Sequence, residues 1–328
     1  MNDNQNDQVT KLIKKAKRKT IWRNVAISTG VTLVLLVGGT IGNAQLLHNS
    51  FDTALMEVEH EERLAGPNVY MGNYQRDYGI LKGNMHYQTY KVIEGVPLPW
   101  QDNILNVSAW GTHSLLAGSY NSLQFAQTDQ SGQQIPYARP YNPHNGQREM
   151  MFYIPEVDYG KRMNEQPTLS QLDKNKLVEM GLSFDKAYSF EQIKEMLPEG
   201  VRPVWYWVDT YADKNRKQPR KLEDGTVSYS SPEHANMVYG FGTVPDQDPD
   251  QITPKGFIEA LETGIKREGK YANSYQKAYD YLRKDKPQPD ESDMKIIGVV
   301  VTGTAENLQK LSTKTYIHGA VLGAIVDR

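Results

Sequence analysis

Residues 24–47 carry no formal charge, and residues 25–42 contain no Asn or Gln either. At a helical rise of about 1.5 Å per residue such a run reaches roughly 36 Å, enough to cross a hydrocarbon core of about 30 Å. Ahead of it stand Lys11, Lys14, Lys15, Lys17, Arg18, Lys19 and Arg23, whereas the next charges after it are acids, beginning with Asp52, Glu57, Glu59, Glu61 and Glu62. The positive-inside bias therefore predicts a single-pass chain in contact with membrane lipid. Its N-terminus is cytoplasmic and residues from about 48 onward are extracytoplasmic. A cleaved signal peptide is the competing reading, with residues 25–39 as its apolar region and Gly42-Asn43-Ala44 as a small-residue cleavage site. Both readings export the rest of the chain.

Charge is divided along the same line. Residues 1–23 hold seven Lys/Arg against two Asp, a net of +5, which leaves 30 against 37 and a net of −7 for the remainder. A nucleic-acid-binding body would carry the opposite sign, so no direct nucleic-acid contact is expected. Val9, Leu12, Ile13 and Ala16 have helical spacing with lysines between, as in a basic helix lying on anionic headgroups, although topogenic charge alone also explains the lysines. Gly38 and Gly42 form a G-x-x-x-G pair that would let two such helices close into a homodimer; membrane helices are also glycine-rich without pairing. The absence of cysteine excludes disulfides, cysteine nucleophiles and thiolate metal sites. With 38% hydrophobic and 23% charged residues the chain is no polytopic membrane protein, and its 20 Tyr, 7 Phe and 5 Trp argue against global disorder.

The pattern predicts an α+β chain in five parts: a basic cytoplasmic tail (1–23), a transmembrane helix (24–47), a helical stalk (48–66), a mostly-β extracytoplasmic region (67–160) and an α+β domain (161–328) with a mixed sheet and helices on one face. Residues 86–93 and 149–154 read as strands and 128–146 as a turn-rich loop or linker. Thr168 with Gln171, and Ser189 with Gln192, have capping-box spacing, predicting helices from 168 towards Met180 and from 189 towards Pro198. Residues 182–188, 204–211, 295–302 and 316–327 read as strands, residues 305–311 as a short helix, and Thr253-Pro254 as the start of a helix through Ile265, with a polar helix over 271–284. Strand–helix–strand thus occurs twice, at 182–211 and at 295–327.

The chemical motifs fail in detail. His60-Glu61-Glu62-Arg63-Leu64 begins like a zinc-protease helix but has Leu64 where the second histidine belongs, and the seven histidines include no pair at metal-ligand spacing. Asp246-Gln247-Asp248-Pro249-Asp250 opens like a calcium loop, yet Gln251 and Phe257 occupy the positions that need Gly and a bidentate Glu. Gly118-Ser119-Tyr120 does not make a nucleophile elbow, and residues 298–303 lack dinucleotide-loop spacing. Asp209 is a lone carboxylate next to an aromatic run in which Trp205 and Trp207 share one strand face. Exposed, the two tryptophans would stack on a cell-wall ligand; buried, they anchor a core. No catalytic residue, metal or cofactor is assigned.

Three blocks carry a resemblance: the basic stretch running into the apolar run over 11–47; Gly66-Pro67-Asn68-Val69-Tyr70 and the residues to Trp110; and Val201-Arg202-Pro203-Val204-Trp205-Tyr206-Trp207 with Gly298-Val299-Val300-Val301-Thr302-Gly303-Thr304 and Leu322-Gly323-Ala324-Ile325-Val326-Asp327. Together they resemble the bacterial sigma factor regulator family, as an N-terminal and a C-terminal regulator module. The resemblance implies a membrane-anchored, anti-sigma-like protein of the bacterial envelope that controls an extracytoplasmic-function sigma factor. The tail is shorter than the cytoplasmic region of family members that hold a sigma factor. It therefore binds one as a short helix, or a second membrane protein does the holding. A cell-wall-facing binding or scaffold module without a transcriptional role is the other class, and an unrecognised envelope enzyme a third.

Overall fold

The computed structural model describes residues 3–118, 122–128, 132–243 and 253–327. The calcium-like stretch at 246–250 and Ser119-Tyr120 lie outside them. The uncharged run is part of one 63-residue helix, α1 (Asp3–Ala65), about 95 Å long at helical rise. Residues 25–42 are exposed on every side of it.

The last part of α1, expected as a stalk, does not stand free. Leu47, Phe51, Ala54 and Val58 recur at helical spacing and bury against Met85, Tyr87, Leu105 and Val107. These last four lie on an antiparallel meander of β1 (Tyr70–Tyr78), β2 (Lys82–Ile93), β3 (Val96–Ser108) and β4 (His113–Ala117), hydrogen-bonded in that order. Alternation along β2 puts Met85, Tyr87, Thr89, Lys91 and Ile93 on the buried face. The two-residue β2–β3 turn has positive φ at both Glu94 (50°) and Gly95 (83°), as a type I′ hairpin requires. At the end of α1, Gly66 N–H donates to Glu62 O (2.9 Å), and Pro67 and a left-handed Asn68 (φ 55°) turn the chain into β1.

Three short strands follow, β5 (Leu123–Phe125), β6 (Arg139–Tyr141) and β7 (Met151–Phe152), and then the long β8 (Leu177–Tyr188). The expected helix from 168 to 180 is a correction: the turn there is a 3-10 helix over Gln166–Gln171, and residues 177–180 already belong to β8. The remaining elements are α2 (Phe190–Met196), β9 (Arg202–Val208), the short β10 (Arg220–Lys221), β11 (Val227–Ser228) and β12 (Glu233–His234), β13 (Gly240–Gly242), α3 (Pro254–Lys266), α4 (Ala272–Arg283), β14 (Ile296–Thr304), α5 (Ala305–Gln309) and β15 (Ile317–Val326). The Ser189 capping box is made in both directions, Ser189 N to Gln192 Oε1 (2.8 Å) and Gln192 N to Ser189 Oγ (3.3 Å).

The main sheet has the order β13-β9-β14-β8-β15. Both strand–helix–strand units are present, β8-α2-β9 and β14-α5-β15, but they interleave: β14 fills the gap in the first unit and β8 the gap in the second. Each unit's own strands are parallel and never adjacent, so every neighbouring pair is antiparallel. The expected mixed sheet is thereby corrected. The order is that of a ferredoxin-like pair of split β-α-β units.

Both faces of this sheet are covered, which is why its strands read as continuous apolar runs. On one face Val299, Val301, Tyr206 and Leu182 pack under α2, α3, α4 and α5. On the other, residues 135–163 drape Ile135, Tyr137, Phe152 and Tyr153 over Trp205, Trp207, Val300 and Val321. Much of the segment read as linker or first-region β structure is thus core of the second sheet, and the strand expected over 149–154 is only the two residues of β7. Buried Arg139 fastens this cover, donating to Glu165 Oε2 (3.1 Å) and to the carbonyls of Glu149 and Leu322.

Phe51→Ala is expected to cost about 3–5 kcal/mol in denaturant unfolding of the detergent-solubilised chain, while Met56→Ala, on the exposed side of the same helix, should stay within about 0.5 kcal/mol. Equal losses would mean that this face does not hold α1 to the meander.

Candidate functional site: the joint at the end of the long helix

Three elements converge where α1 ends. Glu179 on β8 has 0% exposure, and its neutralising partner comes from the other sheet: Lys91 Nζ on β2 lies 2.7 Å from Oε2. Asn68, in the turn after α1, donates Nδ2 to Glu179 Oε1 (2.8 Å) and to Val92 O (3.2 Å). Ala324 N–H on β15 donates to Oε2 (3.2 Å). A Cβ at Gly323 would collide with the carboxylate, so glycine there gives it room. Lys91 Nζ also lies 4.2 Å from the Trp100 ring centroid, a cation–π contact on its other side. Nearby, Thr302 Oγ1 donates to Glu94 Oε1 (2.6 Å) and the Tyr70 and Thr243 hydroxyls meet at 3.2 Å.

A second attachment runs along α1 itself. The Tyr275 hydroxyl donates to Glu61, Lys270 N–H donates to Glu57, and Arg267 Nη1 reaches Met56 O (3.3 Å). Gly264 on α3 lies so close that a Cβ would strike both Tyr275 and His60, which meet edge-on at 5.4 Å between centroids. Burial lowers the His60 pKa and raises that of Glu61. Glu62, part-buried beside Glu61, is pushed up to about 7 by burial and then by its neighbour's charge. It borders a cavity of about 380 Å³ between α1, β1, β13 and α3, lined also by Glu59, Arg63, Asn68, Tyr70 and Tyr90.

The residues singled out from sequence lie elsewhere. Lys11, Lys14, Lys15, Lys17, Arg18, Lys19 and Arg23 are exposed along the first turns of α1. Gly38 and Gly42 are exposed in mid-helix, and a Cβ at either would meet nothing. Trp205 and Trp207 are buried against Phe152 and present no face for stacking. Asp209 is buried too, accepting from Lys214 Nζ (2.7 Å) and the Tyr281 hydroxyl (3.2 Å). No cluster of three His, Cys, Asp or Glu able to hold a metal occurs among the described residues. Sequence reasoning missed Glu179 and Lys91. The local signal is a charge set directly between apolar or aromatic neighbours, Leu177-Val178-Glu179-Met180 in β8 and Tyr90-Lys91-Val92-Ile93 in β2.

Lys91→Met should cost roughly 3–5 kcal/mol by leaving Glu179 without its counter-charge, and adding Glu179→Gln should recover most of the loss; additive losses in denaturant unfolding would contradict the pairing. Glu62 supplies a pH test. Its folded-state pKa lies above the ordinary value of 4.5, so the stability it contributes is full below that value and is lost as pH rises through about 7. Glu62→Gln should flatten the fall of melting temperature between pH 5 and 8, and unchanged slopes would refute the assignment.

Comparison with known proteins falls on the same elements. Residues 10–98 match the family described as Sigma factor regulator N-terminal, and residues 169–324 match Sigma factor regulator C-terminal. No curated protein and no solved structure matches the chain. The two matched stretches hold α1 from its basic tail, the first two strands of the meander and nearly all of the five-stranded sheet. Lys91 and Asn68 fall in one and Glu179 and Ala324 in the other, so the buried cluster is where the two regulator modules meet. The chain belongs to the sigma factor regulator family.

Proposed function

We propose that this protein is a non-catalytic, membrane-anchored regulator of the bacterial envelope, anti-sigma-like in role. Its modules are extracytoplasmic and α1 is single-pass. It would report an envelope signal to an extracytoplasmic-function sigma factor, directly through residues 1–23 or through a second membrane protein. One observation carries the reading: a single helix runs from the basic tail through a fully exposed apolar run, the only one among the described residues long and apolar enough to cross a membrane, into a segment attached to both modules. A ligand that favours one arrangement of the modules then shifts the helix, provided it binds the two arrangements with different affinity. Pairing of two copies through Gly38 and Gly42 is one form that shift can take.

A groove of about 760 Å³ on the meander favours a second reading, a cell-wall-facing binding module. Gln88, Gln101, Asp102 and His144 line it, with Thr89, whose buried Oγ1 has no partner among the described residues. Polar side chains around a concave surface suit a hydroxyl-rich ligand.

Native pull-down of the full-length protein from gently solubilised membranes, beside a variant lacking residues 1–23, separates the two. Recovery of a sigma factor, or of a membrane protein carrying one, only with the intact tail is the expected result. If neither is recovered while the full-length protein co-sediments with isolated cell wall and Asp102→Ala weakens that sedimentation, the regulator reading gives way to the binding module.

A further inference from the structure

The meander presents an apolar end to solvent. The β1–β2 turn carries Ile80, 85% exposed, and Leu81, 47% exposed; the β3–β4 turn carries Trp110, 73% exposed. These turns are neighbours, because Ala109 N–H donates to Leu81 O (2.9 Å) and Lys82 is paired with Ser108. Exposed apolar side chains gathered at one edge mark a contact surface more often than chance exposure does. Leu81 also holds φ at 57°, where a tight turn usually takes Gly or Asn, so the turn keeps a large apolar side chain at a conformational cost.

What covers this surface follows from where it is fixed. Both ends of the Asn43 side-chain amide are committed to the first turn: Nδ2 donates to Gly79 O (2.8 Å) and Oδ1 accepts from Leu81 N–H (2.6 Å). His48 Nδ1 lies 3.3 Å from the Tyr78 hydroxyl one turn further on. Asn43 is the first amide-bearing residue after the apolar run, and the 19 residues between it and Arg23 reach about 28 Å, close to one hydrocarbon thickness. With Arg23 at one interface, Asn43 lies at the other, and it carries the two turns with it. Trp and Tyr are enriched at that level, where a ring has one apolar and one wet side. Lys82 is exposed beside the first turn, where a bilayer at that level would place its ammonium at the height of lipid phosphates.

We propose that turns 79–81 and 109–112 dock on the outer-leaflet surface of the bilayer that α1 crosses, with Ile80 and Trp110 in its interfacial zone. The protein would then hold the membrane at the helix and at the edge of its meander, which fixes the tilt of the modules over the lipid. The proposal rests on the membrane-anchored reading above, and the test separates the two.

The chain has no cysteine, so single cysteines report single positions. Full-length protein is prepared as Ile80→Cys, Trp110→Cys, Val34→Cys and Asp224→Cys, each carrying an environment-sensitive fluorophore. Each is reconstituted into vesicles of phosphatidylethanolamine and phosphatidylglycerol, with nitroxide lipids labelled at the headgroup or deep in the acyl chain. Labels at 80 and 110 should be blue-shifted and quenched by the shallow nitroxide, the label at 34 by the deep one, and the label at 224 by neither. Adding Trp110→Ser to the Ile80→Cys protein should reduce the quenching at 80 without moving the melting temperature, since both side chains are exposed. If position 34 is quenched while 80 and 110 behave like 224, the anchor stands and the docking is wrong. Absence of quenching at 34 overturns the anchored reading and the docking together.

Discussion

A carboxylate removed from water is tolerated only where opposite charge and hydrogen-bond donors surround it, and Glu179 obtains these from three separate parts of the chain. The ammonium comes from the four-stranded meander, an amide from the turn that closes α1, and a backbone N–H from the edge strand of the second sheet. Separating the modules would expose a charge and strip its partner at once, so the cluster favours one registry of sheet against sheet. Buried ion pairs add little net stability over well-packed apolar residues; their better attested use is to specify an arrangement. That use suits a joint whose task is to hold two modules and a helix in one relation.

Around that cluster, α1 passes through three environments without a break. Its first turns are basic, its middle is apolar on all sides, and its last third has one face buried on the meander and another against α3 and α4. The acids on the last stretch are divided between tasks: Glu57 and Glu61 take donors from the second module, whereas Glu62 sits at the edge of a cavity, and burial raises the proton affinity of Glu61 and Glu62 alike. The acids of the helix whose proton affinity burial raises therefore lie where the helix meets both modules.

Local rules were legible wherever local physics decides. The apolar run, the alternation along β2, the reciprocal cap at Ser189 and the Pro254 helix start all read correctly because each depends on residues within a few positions. The two strand–helix–strand units were legible as well, but not their interleaving: which strand fills the gap depends on pairings such as Gly298 with Ser183, more than 100 residues apart. The same separation hid Glu179, whose strand begins just after a stretch with capping-box spacing and was read as helix. The cover over Trp205 and Trp207 was invisible for another reason. Residues 135–163 are rich in Pro, Gly, Asn and Tyr and have no period, so nothing in their order distinguishes a linker from a packed layer.

The continuity of α1 has an angular consequence. In an unbroken helix each residue turns the chain by about 100°, so the direction faced by Lys11 or Arg18 is tied to the direction faced by Phe51. The tail cannot choose which way its basic side points independently of how the modules sit. Orientation at the module end is translated into azimuth at the basic end, and the number of residues between Arg23 and Leu47 sets the phase between them as well as the distance.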